Sequence, residues 1–437
     1  MIDKIIDNYL RFLSTLTPAD FLEFFWFFLI FEFFRYFLVE FIVLILTEVK
    51  KVTSLKQRAS ASAELFFENP LVSILIPGKN EGKHLYKLVN SLSEQTYKNI
   101  EIIVVDDGSD DDTPAIGRML EKAGLIDVFL RNEVRGGKAS GANLALRYSK
   151  GKYIIHLDAD CSYDFDAIEN ILIPFYMELG VGGVGGNVNV RNYKHSLVTT
   201  LQGVEYYNAI TIGRKVTSYL GIYRVISGAF GAFRADVIKS IGGWDIGPGL
   251  DGDITVKIRK KGYKIRFAAD AHCLTSVPNT FKKLVKQRLR WDKSLIRFRL
   301  RKHNDVFKVQ ASFRLLDFFS AFENFFYNVV LNFKWYIYLT IMLTFYRPLF
   351  INVFITNVLL YTIMNYIKFL LFSLFRDRSH SSVSYFLIYL PCMVLYFGLF
   401  LRAVRTIAYL QEIFFKMSYK DTWNPRKTSI HAEYLRL

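Results

Sequence analysis

The stretch KYIIHLDADC, residues 152–161, runs from an apolar, β-branched pattern directly into two carboxylates. Two more short apolar runs, LVSILIPG (71–78) and IEIIVVDDGS (100–109), also end in turn-forming or acidic residues. Helical periodicity separates the runs, in LYKLVNSLSEQ (85–95) and PAIGRMLEKAG (114–124). This alternation predicts an α/β fold with a parallel-rich sheet covered by helices. The polar residues at the carboxyl ends of its strands are then expected to meet in one crevice, where such sheets bind ligands.

Apolar residues outside this region are concentrated near the two ends of the chain. Of the 437 residues, 51% are hydrophobic and 40 are Phe. Residues 20–48 are long enough to cross a bilayer, which takes about 20 apolar residues. Further apolar segments follow at 314–346, 348–375 and 383–410. The segregation predicts a membrane protein with a soluble domain in the middle of the chain.

This pattern divides the chain into consecutive parts. They are an N-terminal transmembrane segment (1–49), a polar linker (50–67), a cytoplasmic α/β domain (68–277), amphipathic interface helices (278–330), transmembrane helices (331–410) and a C-terminal tail (411–437). The number of spans and the side of the C-terminus stay open. Three spans after a cytoplasmic domain would put the basic C-terminus outside, unless part of 314–332 lies in the interface.

The chain has a net charge of +16, and many of its basic residues lie beside the apolar segments. Lys50 and Lys51 follow the first segment, and a basic run at 288–302 precedes the later ones. This placement fits the positive-inside rule and predicts a multi-pass cell-membrane protein with its middle domain in the cytoplasm. The Lys- and Ile-rich composition favours a bacterial source. No nucleic-acid recognition module is visible in the sequence, which argues against a nucleic-acid partner. The three cysteines have no metal-ligand spacing and favour a reducing compartment.

Asp158 and Asp160 follow the predicted strand 152–157 with one residue between them. Two carboxylates at this spacing can share a hard divalent cation that also binds substrate phosphates, and we expect Mg²⁺ or Mn²⁺ there. A D-x-D tripeptide is common by chance, and the alternative is a solvated strand end. Its position after an apolar strand favours the metal site.

Asp106 and Asp107 end the neighbouring predicted strand and are followed by Gly108 and Ser109. Carboxylates there can accept hydrogen bonds from a base or a ribose, and a glycine lets the backbone approach a ligand. Ser109 can also cap the next helix, and the two roles are compatible.

Three further motifs carry candidate chemistry. The turn RGGKASGAN (135–143) opens a helix with Lys138 and suits a diphosphate, although it lacks P-loop spacing. GLDGDIT (249–255) offers carboxylates that can act as a base. QRLRW (287–291) places Arg beside Trp on a basic amphipathic helix, which can clamp a phosphate and stack on a sugar, or anchor the helix in the membrane interface.

Together and in this order, these motifs resemble the processive family-2 glycosyltransferases, which include the cellulose, chitin, hyaluronan, mixed-linkage glucan and poly-N-acetylglucosamine synthases. The resemblance covers about residues 68–300 and the general membrane layout. The matching stretches are IPGKNE (76–81), VVDDGSDDD (104–112), RGGKASGANLAL (135–146), LDADC (157–161), SGAFGAFR (227–234), LDGDIT (250–255) and QRLRW (287–291). The last is the most specific, because non-processive relatives usually lack it.

The resemblance implies a GT-A fold between transmembrane and interfacial helices, and it implies a role for each matching residue. On the donor side, the uridine would be held by Asn80, Glu81 and Asp107, beside Asp106. Lys138 would touch the diphosphate, and Asp158 and Asp160 would lie at the diphosphate and its metal.

On the acceptor side, the resemblance implies that Asp251 is the catalytic base. Ser227 and Gly228 would lie beside the acceptor sugar. Gln287, Arg290 and Trp291 would bind the diphosphate and the end of the growing polysaccharide.

Two residues depart from the family pattern. Leu250 precedes the base where the family usually has an acidic residue, and an apolar neighbour tends to raise a carboxylate's pKa by desolvation. Lys79 stands where the family often places Tyr. The first departure leaves the linkage open, since it falls where the acceptor is placed.

Near the C-terminus, DTWNPRKTS (421–429) loosely resembles the gating loop of hyaluronan synthases. In that case Trp423 and Arg426 would close over the donor. The alternative is an unstructured tail with a turn at Asn424-Pro425.

The predicted function is a processive inverting hexosyltransferase that polymerises a UDP-sugar into a β-linked polysaccharide and exports it through its own channel. UDP-glucose and UDP-N-acetylglucosamine are the leading donors. Asp317, Glu323 and Lys334, charged residues within apolar sequence, are candidates to line the channel. The alternatives are a non-processive enzyme acting on a lipid carrier and a catalytically inactive scaffold. A regulatory or export partner protein is compatible with either enzyme.

Overall fold

The computed structural model describes residues 2–247, 249–307, 315–375, 383–421 and 424–435. The chain divides into two compact units. One unit comprises residues 1–48 and 324–406, and the other comprises residues 49–323 and 407–437.

The second unit contains a mixed sheet of eight strands among its described residues, in the order β3-β2-β1-β4-β7-β6-β8-β5. The strands are β1 (Val72–Gly78), β2 (Ile100–Asp106), β3 (Val128–Arg131), β4 (Tyr153–Leu157), β5 (Ser162–Tyr163), β6 (Val181–Val190), β7 (Phe230–Arg234) and β8 (Lys264–Thr275). β3, β2, β1 and β4 are parallel to one another, whereas β7 is antiparallel to both β4 and β6. The predicted parallel-rich α/β sheet is therefore confirmed.

The order of the strands creates the crevice that the sequence predicts. From β1 the chain crosses to β2 on one side, and it returns to β4 on the other side of β1. This reversal is a switch point, where the loops after neighbouring strands diverge and leave room for a ligand. The loops after β1, β2 and β4 all open there.

Helices cover both faces of the sheet because its strands are buried and apolar on both sides. Ile74 and Ile76 pack into one core cluster and Leu75 into a second, as expected for alternating side chains of one strand. The covering helices of this unit are Leu55–Glu68, Gly82–Ser93, Thr113–Lys122, Lys138–Tyr148, Ala167–Met177, Leu197–Tyr206, Gly213–Tyr219, Ala235–Ser240 and Leu250–Lys260.

The predicted polar linker 50–67 is helical in the structure. Helix Leu55–Glu68 buries Ala61 and Leu65 in the core of the sheet. Arg58 bonds Asn170 at 2.6 Å and pairs with Asp270 at 3.1 Å. The polar residues of this segment lie on the solvent-facing side of a helix whose other side packs against the sheet.

Further helical regions belong to the second unit. Helix Phe281–Ile296, here called the QRLRW helix, continues as a π-helical stretch over Arg297–Lys302. Most of helix Leu315–Phe325 belongs to this unit, and so does the end of helix Arg402–Phe415. The C-terminal segment adds a 3-10 turn at Met417–Lys420 and helix Arg426–Tyr434.

The first unit is helical throughout its described residues. Its elements are Ile2–Thr15, Pro18–Phe27, a π-helical stretch at Phe28–Val39, the start of Glu40–Thr53, a π-helical stretch at Phe326–Val330, Leu331–Phe345, Phe350–Ser373, Val383–Leu387, Leu390–Leu395, a π-helical stretch at Tyr396–Leu401 and the start of Arg402–Phe415. By length and composition, Phe350–Ser373 and the continuous run Leu390–Phe415 could cross a bilayer. The predicted multi-pass arrangement, including the N-terminal span, stays a prediction.

The three charged residues predicted to line a channel have partners in the structure, and their place in a channel stays a prediction. Asp317 and Glu323 pair with arginines of the sheet-containing unit, Arg259 and Arg224 respectively. Lys334 lies over the ring of Trp26, 4.5 Å from its centroid. The two acidic residues therefore form ion pairs within one unit, and these pairs offset the cost of burying their carboxylates.

Candidate active site

The crevice at the switch point gathers side chains from three separate strand ends. Lys138, at the start of helix Lys138–Tyr148, donates a hydrogen bond to Asp158 Oδ1 just after β4. Burial lowers the pKa of Lys138, but the carboxylates of Asp158 and Asp251 raise it more, and the net shift is upward. The lysine is thus held as a cation beside the D-x-D motif.

Asp107 organises the glycine-rich turn that precedes this lysine. Its Oδ1 accepts hydrogen bonds from the Gly136 N–H at 2.8 Å and the Asn132 side chain at 3.0 Å. Its Oδ2 accepts from the Gly137 N–H at 2.7 Å. Gly137 has φ +90°, a left-handed backbone that glycine adopts without strain. The two motifs that the sequence places 29 residues apart, DDGS and RGGK, therefore form one loop system.

Asn80 ties the loop after β1 to the loop after β2. Its N–H donates to Ser109 Oγ at 2.7 Å, and its Oδ1 accepts from the Asp110 N–H at 3.0 Å. Lys79, the departure from the family pattern, donates to Gly108 O at 2.7 Å and to Asp110 at 2.8 Å. Lys79 therefore links the loop after β1 to the loop after β2.

Asp106 lies beneath these loops. It is buried, and its Oδ1 accepts a hydrogen bond from the Ser109 N–H at 3.0 Å. Its other oxygen lies 3.5 Å from Arg131 Nε. These contacts give Asp106 a structural task in shaping the loop, and contact with a donor stays a prediction for this residue.

The acidic residues at the crevice carry more negative charge than Lys138 neutralises. Burial, together with the carboxylates of Asp160 and Asp158, raises the pKa of Glu81 to about 7. Burial likewise raises the pKa of Asp160, with the carboxylate of Asp158 adding to the shift. A divalent cation would relieve this repulsion, so the residues present fit a metal.

No cluster of three His, Cys, Asp or Glu side chains able to hold a metal occurs within the described ranges. This finding is compatible with Mg²⁺ chemistry, because Mg²⁺ is commonly held by one or two carboxylates plus water and substrate phosphates. Asp158 and Asp160 are the residues that would hold it.

Asp251 lies at the start of helix Leu250–Lys260, here called the Asp251 helix, and faces Gly228. The Gly228 N–H donates to the Asp251 carboxylate, and a Cβ on Gly228 would lie 2.5 Å from Asp251 Oδ1. Burial raises the pKa of Asp251, although Lys138 opposes the shift. Ser227 precedes this glycine and accepts a weak hydrogen bond from the Ala229 N–H at 3.4 Å. The predicted base and the predicted acceptor loop are therefore adjacent.

The QRLRW helix contributes side chains with different surroundings. Burial lowers the pKa of Arg290, and the nearby carboxylates of Asp421 and Asp251 oppose that shift. Gln287 Oε1 is buried and has no hydrogen-bond partner within the described part of the chain. A buried acceptor without a donor is costly, so this oxygen is suited to a ligand hydroxyl.

Trp291 is exposed, and its ring is covered by Arg288 at 4.5 Å from the centroid. Arg288 is in turn buried and paired with Glu205 at 2.9 Å. The arginine that stacks on the tryptophan is thus Arg288, which leaves Arg290 on the Asp251 side.

The C-terminal segment reaches the glycine-rich turn. A Cβ built on Gly137 would lie 3.3 Å from Pro425 Cδ and 3.5 Å from Asn424 Oδ1. Arg426 begins the last helix and is exposed. Trp423 lies outside the described residues. The segment therefore lies against the turn that precedes Lys138, and its gating role stays a prediction.

Residues outside the predicted motifs also contribute to the site. His156, in β4, donates a 2.7 Å hydrogen bond from Nδ1 to Gly228 O, and burial lowers its pKa to about 4. Arg191 reaches back to Asp160 O at 3.3 Å and Ser162 Oγ at 2.8 Å. No local sequence signal marks these two residues, because their partners lie far away along the chain.

Comparison with known proteins identifies the class of this site. Residues 73–242 match the family described as Glycosyl transferase family 2. Residues 73–242 therefore form a family-2 glycosyltransferase domain, and the glycosyltransferase class predicted from the motifs is confirmed.

The similar curated proteins are bacterial. The chain is 32% identical over 222 residues to the poly-beta-1,6-N-acetyl-D-glucosamine synthase of Staphylococcus epidermidis, which covers 50% of this chain and 53% of that protein. It is 31% identical over 223 residues to the enzyme of the same name from Staphylococcus aureus, with the same coverage of 50% and 53%. The chain thus spans about half the length of the curated relatives it matches.

A solved mannosyltransferase from Pyrobaculum calidifontis, in complex with GDP-Man and Mn²⁺, has a similar fold. The TM-score is 0.54 at 18% sequence identity, with 86% of this chain and 99% of that chain covered. At this identity, the similarity supports the glycosyltransferase fold alone.

Proposed function

We propose that this chain is a processive, inverting glycosyltransferase that polymerises a UDP-sugar into a β-linked polysaccharide at the cytoplasmic face of a membrane. The observation that carries the proposal is the convergence of Asp251, Lys138 and Asp158 in one crevice. Arg290, on the QRLRW helix, interacts electrostatically with Asp251 and Asp158. Gln287 of the same helix has a buried oxygen with no donor within the described chain. A base and two cations for the diphosphate are thus present together, and the helix that carries Arg290 offers a polar group for the acceptor.

The transfer is a single displacement at the anomeric carbon. Asp251 accepts the proton of the acceptor hydroxyl, which attacks opposite the leaving diphosphate. Lys138 and Arg290 stabilise the negative charge that develops on the diphosphate. The Gly228 N–H holds the Asp251 carboxylate in place. Inversion of an α-linked donor gives a β-linked product.

Asp158 and Asp160 hold the divalent cation, Mg²⁺ or Mn²⁺, in this proposal. When bound, the cation neutralises diphosphate charge as a Lewis acid. The raised pKa values of Glu81 and Asp160 support a cation at this place, and the similar mannosyltransferase structure contains Mn²⁺.

UDP-N-acetylglucosamine is the preferred donor in the proposal, ahead of UDP-glucose. The support is the similarity to the staphylococcal poly-beta-1,6-N-acetyl-D-glucosamine synthases. Asn80, Glu81 and Asp107 would bind the uridine, Ser227 and Gly228 the acceptor sugar, and Gln287 and Trp291 the polymer end.

The helices support the proposed contact with a lipid bilayer. Within the described part of the chain, two helices are long and apolar enough to span it. Exposed apolar residues also line helix 315–325 and the end of helix 402–415, including Phe319, Phe322, Phe414 and Phe415. Such surfaces favour lipid contact. Export would follow a channel built by the helical unit.

A donor scan tests the proposal. Purified full chain with Mg²⁺ is given each radiolabelled UDP-sugar, singly and in pairs, and the product is sized and digested with linkage-specific hydrolases. High-molecular-weight β-linked product from UDP-N-acetylglucosamine alone is the expected result. Short or lipid-soluble product would favour the non-processive alternative, which shares the donor motifs.

The variant Asp251→Asn serves as the catalytic control for this scan. Loss of a general base lowers turnover by at least about 100-fold, while UDP binding measured by calorimetry is expected to stay at the wild-type level. Near-normal turnover of Asp251→Asn would disprove the assignment of the base.

A further inference from the structure

Helix Leu315–Phe325 has its polar side turned inward and its apolar side turned outward. Asp317 and Ser320 are each only 6% exposed, whereas Leu315, Phe319 and Phe322 are 71%, 50% and 48% exposed. A helix on a water-facing surface has the reverse pattern. The outward side therefore matches an apolar environment, and lipid is the occupant that fits the membrane placement proposed above.

The inward side of this helix is fastened to the catalytic region. Arg259 Nε donates to Asp317 Oδ1 at 2.6 Å, and both side chains are buried. The other guanidinium nitrogens of Arg259 donate to Tyr223 O at 2.8 Å and Gly221 O at 3.0 Å. Ser320 Oγ donates to Ile222 O at 3.1 Å. The helix thus forms hydrogen bonds both with Arg259 and with the loop 221–227, which leads to Gly228.

Arg259 belongs to the same helix as the proposed base. The Asp251 helix runs from Leu250 to Lys260, so Asp251 and Arg259 lie eight residues apart on one rigid rod, about 12 Å along its axis. Movement of Asp317 therefore displaces the axis that positions Asp251. A misplacement of about 1 Å at a reacting group can cost about 100-fold in rate.

We propose that the Arg259–Asp317 ion pair transmits lipid contact of helix Leu315–Phe325 to Asp251, so that a bilayer surface activates the transfer step. Arg259 and Asp317 are positioning residues in this scheme. The inference rests on the proposed function and adds a regulatory role for the membrane surface.

The test compares the purified full chain in detergent with the same protein in nanodiscs of phosphatidylethanolamine and phosphatidylglycerol. For the wild type, we expect kcat to rise about tenfold in lipid, a typical size for coupling between separate sites. The double variant Phe319→Ser/Phe322→Ser, altered only at exposed positions, should keep the detergent kcat and lose the gain.

Variants of the ion pair complete the test. Asp317→Asn in nanodiscs should fall to the wild-type detergent level of kcat with little change in the KM for donor, and Asp317→Glu should recover part of the gain. Glu323→Gln is the matched control, because its 2.7 Å ion pair joins the same helix to Arg224 in the loop rather than to the Asp251 helix. This control should keep the gain.

Several outcomes would overturn the inference while leaving the proposed function intact. They are equal wild-type kcat in detergent and lipid, a full gain in the Phe319→Ser/Phe322→Ser variant, and equal fractional losses of Asp317→Asn in both media. A wild type without transfer in either medium would instead count against the proposed function itself.

Discussion

Asp251 and Gly228 show how a single residue pair shapes the site. The carboxylate approaches the backbone so closely that any side chain at position 228 would meet it. The glycine also gives its N–H to the carboxylate. Glycine is therefore required at position 228 of the motif SGAFGAFR, because a side chain there would occupy the space of the Asp251 carboxylate.

The variant Gly228→Ala should therefore lose activity. Its Cβ would lie 2.5 Å from Asp251 Oδ1 and push the carboxylate out of place. We expect kcat to fall by about 100-fold with donor affinity unchanged, measured by steady-state kinetics and UDP calorimetry. Gly398→Ala is the control, since a Cβ there meets nothing within 4 Å. Full activity of Gly228→Ala would contradict the contact.

The pH profile of kcat reports on the same carboxylate. Asp251 must be ionised to accept a proton, and burial raises its pKa above the ordinary value of 3.8. Activity should therefore be lost as the pH falls through this raised pKa, at a higher pH than for an ordinary Asp. Measurement at saturating donor is required, and a flat profile down to pH 4 would refute the assignment.

At the scale of elements, charged contacts hold the Asp251 helix at several points. Asp253 meets His303 Nε2 at 2.7 Å and Lys302 at 2.8 Å. Lys257 pairs with Asp245 at 2.8 Å. The helix that carries the proposed base is thus locked to the residues that follow the QRLRW helix, which lets both motifs keep a fixed relative position.

Removing one of these contacts should lower stability in a pH-dependent way. Burial raises the pKa of Asp253, but His303 and Lys302 lower it more, to about 2 from 3.8. Because the folded-state pKa is depressed, the stabilisation is present above pH 3.8 and is lost as the pH falls through 2. Asp253→Asn should cost about 2 kcal/mol near neutral pH.

Thermal unfolding of the full chain in detergent measures this cost. The midpoint of Asp253→Asn should lie below that of the wild type at neutral pH, and the difference should shrink as the pH is lowered below 3.8. A difference that is independent of pH would mean that the charge of Asp253 is not its source.

The QRLRW helix offers a second prediction at this scale. Gln287 has a buried oxygen that receives no hydrogen bond from any described group. In the proposed function, this oxygen accepts a hydrogen bond from the acceptor sugar. Gln287→Leu, which removes that oxygen, should shorten the polymer while UDP affinity stays constant. Product sizing on gels is the measurement, and unchanged polymer length would exclude the contact.

At the scale of the whole molecule, the C-terminal segment belongs to the unit that contains the catalytic sheet. Glu412 is fully buried and accepts hydrogen bonds from the Ser418 N–H at 2.7 Å and Ser418 Oγ at 2.8 Å. It also pairs with Arg301, beyond the QRLRW helix. This carboxylate fastens the segment that leads to the glycine-rich turn.

Loss of this carboxylate should release the segment. Glu412→Ala leaves Arg301 without its charge partner at Glu412, and breaking a buried pair costs about 3 kcal/mol. We expect faster limited proteolysis after residue 416 and a lower thermal midpoint. Ile413→Ala, on the exposed neighbouring residue, is the control. Equal proteolysis rates in both variants would contradict the role of Glu412.

Sequence alone determined the α/β class, the crevice and most of the residues around it. Strand periodicity and chain direction are local properties, so the carboxylates at the ends of β2 and β4 had to lie on one edge of the sheet. The order of the motifs then identified the family. The glycosyltransferase class follows from these local patterns, and the family comparison confirms it.

Only the tertiary structure decided which distant groups pair. The apolar sequence around Asp317 and Glu323 suggested a channel lining, yet both pair with arginines of the sheet-containing unit. The polar composition of 50–67 suggested a linker, yet its helix packs on the sheet. Glu412 and Arg301 lie 111 residues apart and meet in a buried ion pair. Such pairings depend on how helices pack against one another, and no local pattern encodes the partner of a buried charge.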